Sequence, residues 1–331
     1  MKGFWPLLCF LLLLVQGCDK PPSGPEVSES ESATQLVNDR IRVGEGPVLG
    51  WEDLLLEVYP EKVWLTGVDV RILSAEGEEG NSQLLDLLTV GWTYPEEHAR
   101  RFYPEKTVSP VFFRFSHPSQ GVELPAGYGI PLWSNEPLTL RVRWRNQDIY
   151  QKDTEVKAVV RLHFVRDRIL EQPLTPVLPG DLFVAAPING DYQYNSRDKW
   201  ELAPPGLSED AEIFADGYKQ NFSQNWLVAE GQQEVSFQMT GLTPHLPGGK
   251  VVYSTAYAYP PTRSVELEIG SSELRLEPDS FSSQSALELT EPTHIVVRVQ
   301  QDVGQARKQN LTRLLLYFVD ADWNGFPEML Q

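Results

Sequence analysis

Cysteine is nearly missing from this chain: only Cys9 and Cys18 occur in 331 residues. A framework of disulfides is therefore excluded, and stability must come from burial. Histidine is also scarce, at five residues: His98, His117, His163, His245 and His294. None lies two or four positions from another, so no local pair of metal ligands exists. Methionine occurs three times. No apolar run reaches the length of a membrane-spanning helix. A GxSxG elbow, a Walker loop, a CxxC pair and an HExxH helix are all absent. Basic residues are outnumbered by acidic ones, 28 to 46, for a net charge of −18. Such a chain is repelled by nucleic acid, which excludes that partner class.

What is present begins at the N-terminus. Lys2 supplies a positive start, and Leu7 to Val15 form a short apolar run broken by Cys9. That run suits a signal peptide over residues 1–17. Val15-Gln16-Gly17-Cys18 resembles the bacterial lipobox. The resemblance implies cleavage before Cys18 and diacylation of its thiol, which makes a stable bilayer anchor. Asp19 resembles the signal that keeps such proteins at the periplasmic face of the inner membrane; the outer membrane is the alternative. Processing removes Lys2 and Cys9, so the net charge becomes −18 − 1 = −19 and Cys18 remains the sole cysteine. Residues 18–45 open with DKPPSGPEVSESESATQ after the cysteine, rich in Pro, Ser and Glu. This composition predicts a disordered tether.

Beyond it, short alternating runs dominate. Leu138, Leu140, Val142 and Trp144 alternate with Thr139, Arg141, Arg143 and Arg145. Val156, Ala158, Val160, Leu162 and Phe164 repeat the pattern, as do Val265, Leu267 and Ile269, and then Ile295, Val297 and Val299. A period of two means strands with one buried and one wet face. With 24 Gly and 26 Pro as punctuation, the pattern predicts an all-β chain. We expect two tandem antiparallel β-sandwich, jelly-roll-like domains over 46–178 and 234–331. Residues 179–233 read as a linker or insertion, with 208–216 as one or two helical turns.

One motif suggests a cation. Asp320-Ala321-Asp322-Trp323-Asn324-Gly325 has the spacing that opens a calcium loop. The twelfth position is Gln331 rather than a bidentate Glu, so an Asx-rich turn closing the last strand is the favoured reading.

A family resemblance follows from three stretches. Val63-Trp64-Leu65-Thr66-Gly67-Val68-Asp69-Val70 resembles the opening strand of the type II copper, ascorbate-dependent monooxygenases related to peptidylglycine hydroxylase. Leu124 to Pro131 and the strand ending Trp144-Arg145-Asn146 resemble the later part of their first domain. Gly248 to Tyr253, then Tyr257-Ala258-Tyr259 and Arg263 to Leu267, resemble the start of their second. The resemblance implies two sandwiches with one copper each. It sets the ligand positions at Leu87 and Leu88, at Arg145, at Tyr257 and Tyr259, and at Leu311. Copper needs imidazole or thioether donors, and these residues supply none. The expectation is a fold kept without its chemistry: an envelope lipoprotein that binds or scaffolds a protein partner, with no cofactor beyond the lipid. The alternatives are a copper monooxygenase relative with altered ligands, a hydrolase using carboxylates, and a carbohydrate- or calcium-binding module.

Overall fold

The computed structural model describes residues 28–32, 40–41, 48–103, 109–115, 121–144, 154–183, 186–187, 212–215, 218–223, 225–228, 231–239, 249–258, 262–269, 272–276, 282–289, 295–303, 307–310 and 312–328. The first half contains β1 (Ser28–Ser32), β2 (Arg40–Ile41), β3 (Val48–Leu54), β4 (Lys62–Ser74), β5 (Leu85–Trp92), β6 (Val111–Phe115), β7 (Gly121–Glu123), β8 (Tyr128–Trp133), β9 (Leu138–Trp144) and β10 (Thr154–Arg166). Helix α1 (Pro95–Phe102) lies between β5 and β6. The second half contains β11 (Thr175–Phe183), β12 (Ala186–Pro187), β13 (Glu212–Ala215), β14 (Tyr218–Ser223), β15 (Asn225–Val228), β16 (Gly231–Met239) and β17 (Gly249–Ala258). It continues with β18 (Thr262–Ile269), β19 (Ser272–Leu276), β20 (Ser282–Leu289), β21 (Ile295–Val303), β22 (Arg307–Asn310) and β23 (Thr312–Val319).

The chain is all-β in sandwiches, as the alternation predicts. One long sheet has the order β1-β10-β4-β8-β11-β23-β17-β20. A four-stranded antiparallel sheet, β3-β9-β5-β6, pairs through the registers Leu88↔Val142 and Leu54↔Leu138. Leu88, Leu140 and Val142 from this sheet join Leu65, Val68 and Phe164 from the long sheet in one core. Each such fully buried apolar side chain stabilises the fold by roughly 1.5–3 kcal/mol. A second four-stranded sheet, β16-β21-β18-β19, buries Val265, Leu267, Leu274 and Leu276 on β18 and β19.

The halves are joined through the middle of the long sheet. β11 pairs in parallel with β8 at Thr175↔Tyr128 and antiparallel with β23 from Val177↔Val319 to Phe183↔Arg313. It thus runs through position 178. Arg114 on β6 donates from Nη1 and Nη2 to the two carboxylate oxygens of Asp181 on β11, at 2.7 and 2.8 Å. The Tyr317 hydroxyl on β23 donates to the Phe112 carbonyl at 2.7 Å. Val252, Tyr253, Leu315 and Tyr317 belong to the same apolar core as the first sandwich.

Three local expectations are corrected. Glu212–Ala215, read as helical, is the strand β13 and pairs with β14. The local charge pattern had no apolar period to fix a helix, and Ile213 and Phe214 suit a strand. Within the span read as a disordered tether, β1 pairs with β10 from Ser28↔Phe164 to Ser32↔Val160, and β2 adds at Thr154↔Ile41. The reason is the free edge of β10, whose unpaired backbone groups accept any extended segment within reach. Arg143, expected on a wet face, is 2% exposed and paired with Asp86 at 2.6 Å. The span read as linker also holds β12, β14 and β15.

Candidate functional site

The helix is short, but its charges suit its dipole. Pro95 starts it, Glu96 and Glu97 occupy the first turn, and Arg100 and Arg101 the last. It buries His98 and Phe102. The His98 ring lies between Trp92, at 4.0 Å between centroids, and Phe102, at 4.4 Å, stacked on both faces. His98 Nδ1 lies 2.6 Å from Glu136 Oε2. Glu136 also accepts the Trp133 backbone N–H at 3.2 Å, and Arg101 stands 3.8 Å away. Burial pulls the His98 pKa below its ordinary value, against the raising pull of Glu136. A neutral ring therefore donates Nδ1–H to Glu136. Burial pushes the neighbouring Tyr103 hydroxyl well above the ordinary phenol value, with Asp320 and Glu136 adding to it.

The C-terminal segment seals this cluster. Asp320 Oδ1 accepts the Asp322 N–H at 3.1 Å, forming an Asx turn after β23, and the Asp320 N–H donates to the Pro176 carbonyl at 3.0 Å. Asp320 is buried, whereas Asp322 and Asn324 are exposed. The turn aims Trp323 at Phe102, stacked at 6.0 Å, and Phe326 at Trp64, edge-on at 5.1 Å.

Above the cluster opens a cleft of about 400 Å³. It is lined by Gly91, Trp92, Tyr94, Glu97, Arg100 and Arg141, among others. Gly91 is needed there, because a Cβ would stand 2.2 Å from the Pro110 carbonyl oxygen. At its edge the hydroxyls of Thr93 and Thr139 lie 2.7 Å apart, and Thr139 donates to Asp53 at 3.0 Å. A second cleft, of about 510 Å³, is lined by Thr66, Gly67, Asp69, Glu123, Tyr128 and His163. There His163 Nε2 lies 2.7 Å from Asp69 Oδ2.

The ligand positions set by the resemblance do not fit copper where they are described. Leu88 is fully buried in the core and Leu87 half-buried on β5, and neither donates to a metal. Tyr257 stands opposite Arg313 in the pairing of β17 with β23. Its side chain, together with Cys18, Asp19, Arg145, Tyr259, Leu311, His117, His245 and His294, lies outside the described residues. Among the described residues, no group of three His, Cys, Asp or Glu gathers for a metal ion. The His98–Glu136 cluster escaped sequence reading. Its one early signal was Pro followed by two Glu, with two Arg closing the turn.

No family model matches the chain, and no curated protein does. Among solved structures it is similar to the major capsid protein P2 of bacteriophage PM2, at 10% identity and a TM-score of 0.33, covering 91% of this chain and 100% of that one. The Sulfolobus turreted icosahedral virus structure gives 9% identity and a TM-score of 0.33, covering 89% of this chain and 91% of that one. The CUB1-EGF-CUB2 segment of human MASP-1/3 gives 10% and 0.18, covering 89% and 99%.

Proposed function

We propose that the chain is an envelope lipoprotein, acylated on Cys18, whose double sandwich binds a protein partner without catalysing a reaction. The resemblance of Asp19 to the retention signal supports a position at the periplasmic face of the inner membrane, with the outer membrane as the alternative. The fold resembling that of ascorbate-dependent copper monooxygenases is kept as a rigid frame. The observation that supports binding is the cleft beside α1. Its lining includes Trp92 and Tyr94 and presents both signs of charge through Glu97, Arg100 and Arg141. Its frame is fixed from below by the stacked and hydrogen-bonded His98.

A photoreactive amino acid at Glu97, irradiated in native membranes, tests this reading. One discrete adduct is expected, lost when Arg141→Glu is added and absent when the probe stands at Ala75. Identical adducts at both positions, or none at Glu97, would overturn it. The anchor is tested separately: Cys18→Ser abolishes palmitate incorporation, and continued acylation of that variant overturns the lipoprotein reading.

A second reading, an enzyme, draws on the His163–Asp69 pair opening onto the larger cleft. A hydrolytic activity against a panel of ester and peptide substrates, lost in His163→Gln, would favour it.

A further inference from the structure

Among the described residues, large apolar side chains that stay in water are few: Tyr94, 55% exposed, lines the cleft beside α1, and the other four gather at one end of the first sandwich. Val58 is 77% exposed, Tyr59 84%, Leu55 49% and Ile169 43%. The first three stand on the connection between β3 and β4, while Ile169 ends the 3₁₀ turn Asp167–Ile169 that follows β10. This connection is not loose. The Glu57 N–H donates to the Ser134 carbonyl at 3.0 Å, and the Ser134 N–H donates to the Glu61 carbonyl at 2.8 Å. The Ser134 hydroxyl, fully buried, accepts from the Glu61 N–H at 2.8 Å and donates to the Tyr59 carbonyl at 2.9 Å. Arg166 binds Glu57 and Glu61, and Arg168 binds Glu61 again. A fixed turn thus holds a valine and a tyrosine out into solvent, and the arginines balance its glutamates.

The path of the chain says what covers them. β1 runs antiparallel to β10, with Ser28 opposite Phe164 and Ser32 opposite Val160. The chain preceding Ser28 therefore leaves the sheet at the Phe164–Ile169 end, where the apolar turn stands. Ser28 lies ten positions after Cys18, a span of at most about 35 Å when fully extended. The far end of β4 is of opposite character: its turn exposes Glu76, Glu78 and Glu79. An acyl chain on Cys18 thus draws the charge-balanced apolar end toward the bilayer and leaves an acidic end away from it.

We propose that Leu55, Val58, Tyr59 and Ile169 form a membrane-contacting tip, which seats in the headgroup region and fixes the orientation of the body on the bilayer. This rests on the acylation of Cys18. Tyrosine, with an apolar ring and a polar hydroxyl, suits that interface, and apolar side chains entering it add to the affinity of the lipid. Docked this way, the cleft beside α1 keeps a constant height and heading relative to the membrane.

The test uses the mature, acylated full-length chain carrying Val58→Cys. Acylation consumes Cys18, so the new thiol is unique and takes an environment-sensitive nitrobenzoxadiazole label. The probe surface is vesicles of phosphatidylethanolamine and phosphatidylglycerol. On the vesicles the label at 58 is expected to shift to the blue and brighten about three-fold or more, while the same label in Ala75→Cys stays as in water. A label at 58 that matches the one at 75, on protein shown to carry palmitate and to float with the vesicles, overturns the tip and leaves the anchor standing. Protein that takes up no palmitate and does not float overturns the anchor. A signal at 58 that grows with protein density at constant lipid shows contact between copies and also overturns the tip.

Discussion

Replacing His98 tests the frame beneath the cleft. The ring is 2% exposed, stacks on Trp92 and Phe102, and bonds to a Glu136 that is itself 7% exposed. His98→Ala removes both stacks and opens a cavity, and removing a buried ring costs roughly 3–5 kcal/mol. His98→Phe keeps a ring for stacking but leaves a buried Glu136 oxygen without its imidazole partner, which costs about 1–3 kcal/mol. Urea unfolding followed by tryptophan fluorescence should therefore order the proteins wild type, His98→Phe, His98→Ala. The pH dependence has a definite sign. Burial lowers the folded pKa of His98 below its ordinary 6.5. The unfolded chain then binds more protons below that value, so the stability tied to neutral His98 is complete above pH 6.5 and is lost as the pH falls toward the folded pKa. The gap between wild type and His98→Phe should narrow on moving from pH of about 7.5 to about 5.5. A gap that widens would mean that the Glu136 carboxylate outweighs burial, and a cost under about 1 kcal/mol for His98→Ala would mean that the ring packs loosely. Either result refutes the reasoning.

Gly91→Ala forces a Cβ against the Pro110 carbonyl, and calorimetry should show about 1–3 kcal/mol of destabilisation. Arg114→Met breaks a nearly buried bidentate pair and should cost roughly 3–5 kcal/mol, with much of this recovered when Asp181→Leu is added; a double-mutant cycle measures the coupling. Tyr317→Phe leaves the Phe112 carbonyl without its donor and should lower the denaturation midpoint by the equivalent of about 1 kcal/mol with an unchanged slope. Titration calorimetry of the mature protein with copper(II) should show no stoichiometric site; a tight one-to-one site that vanishes in His117→Ala or His163→Ala would restore the metalloenzyme reading.

The legible part of this fold is the part written in alternation. Leu138, Leu140, Val142 and Trp144 on β9, and Val156 to Phe164 on β10, are buried at every second position. The pattern missed Arg143 because period alone assigns a charge to water, whereas Asp86 gives this one a partner inside. It missed β1 because edge pairing through the backbone leaves no trace in side-chain chemistry. Helix α1 carried a signal in its terminal charges, but eight residues are too few to show a helical period. His98 was visible as a residue and not as a site. Its partner Glu136 is distant in the chain, and the turn at Asp320 brings Trp323 onto Phe102 and Tyr103, the rings beside it. The Asp320 motif carries the spacing of both a calcium loop and an Asx turn, and the hydrogen bond within it is that of an Asx turn.

Strand β23 has a consequence for the order of events in the life of the chain. It comes from residues 312–319, yet it sits inside the long sheet, flanked by β11 and β17. Until it arrives, β11 lacks its neighbour over seven paired residues, and the Phe112 carbonyl lacks its tyrosine donor. The sheet therefore closes around a strand, residues 312–319, that follows both of its neighbours in the chain. Contacts this distant in sequence are slow to form. Until residues 312–319 pair, β11 and β17 lack their common neighbour, so the long sheet stays open between the strands of the two halves.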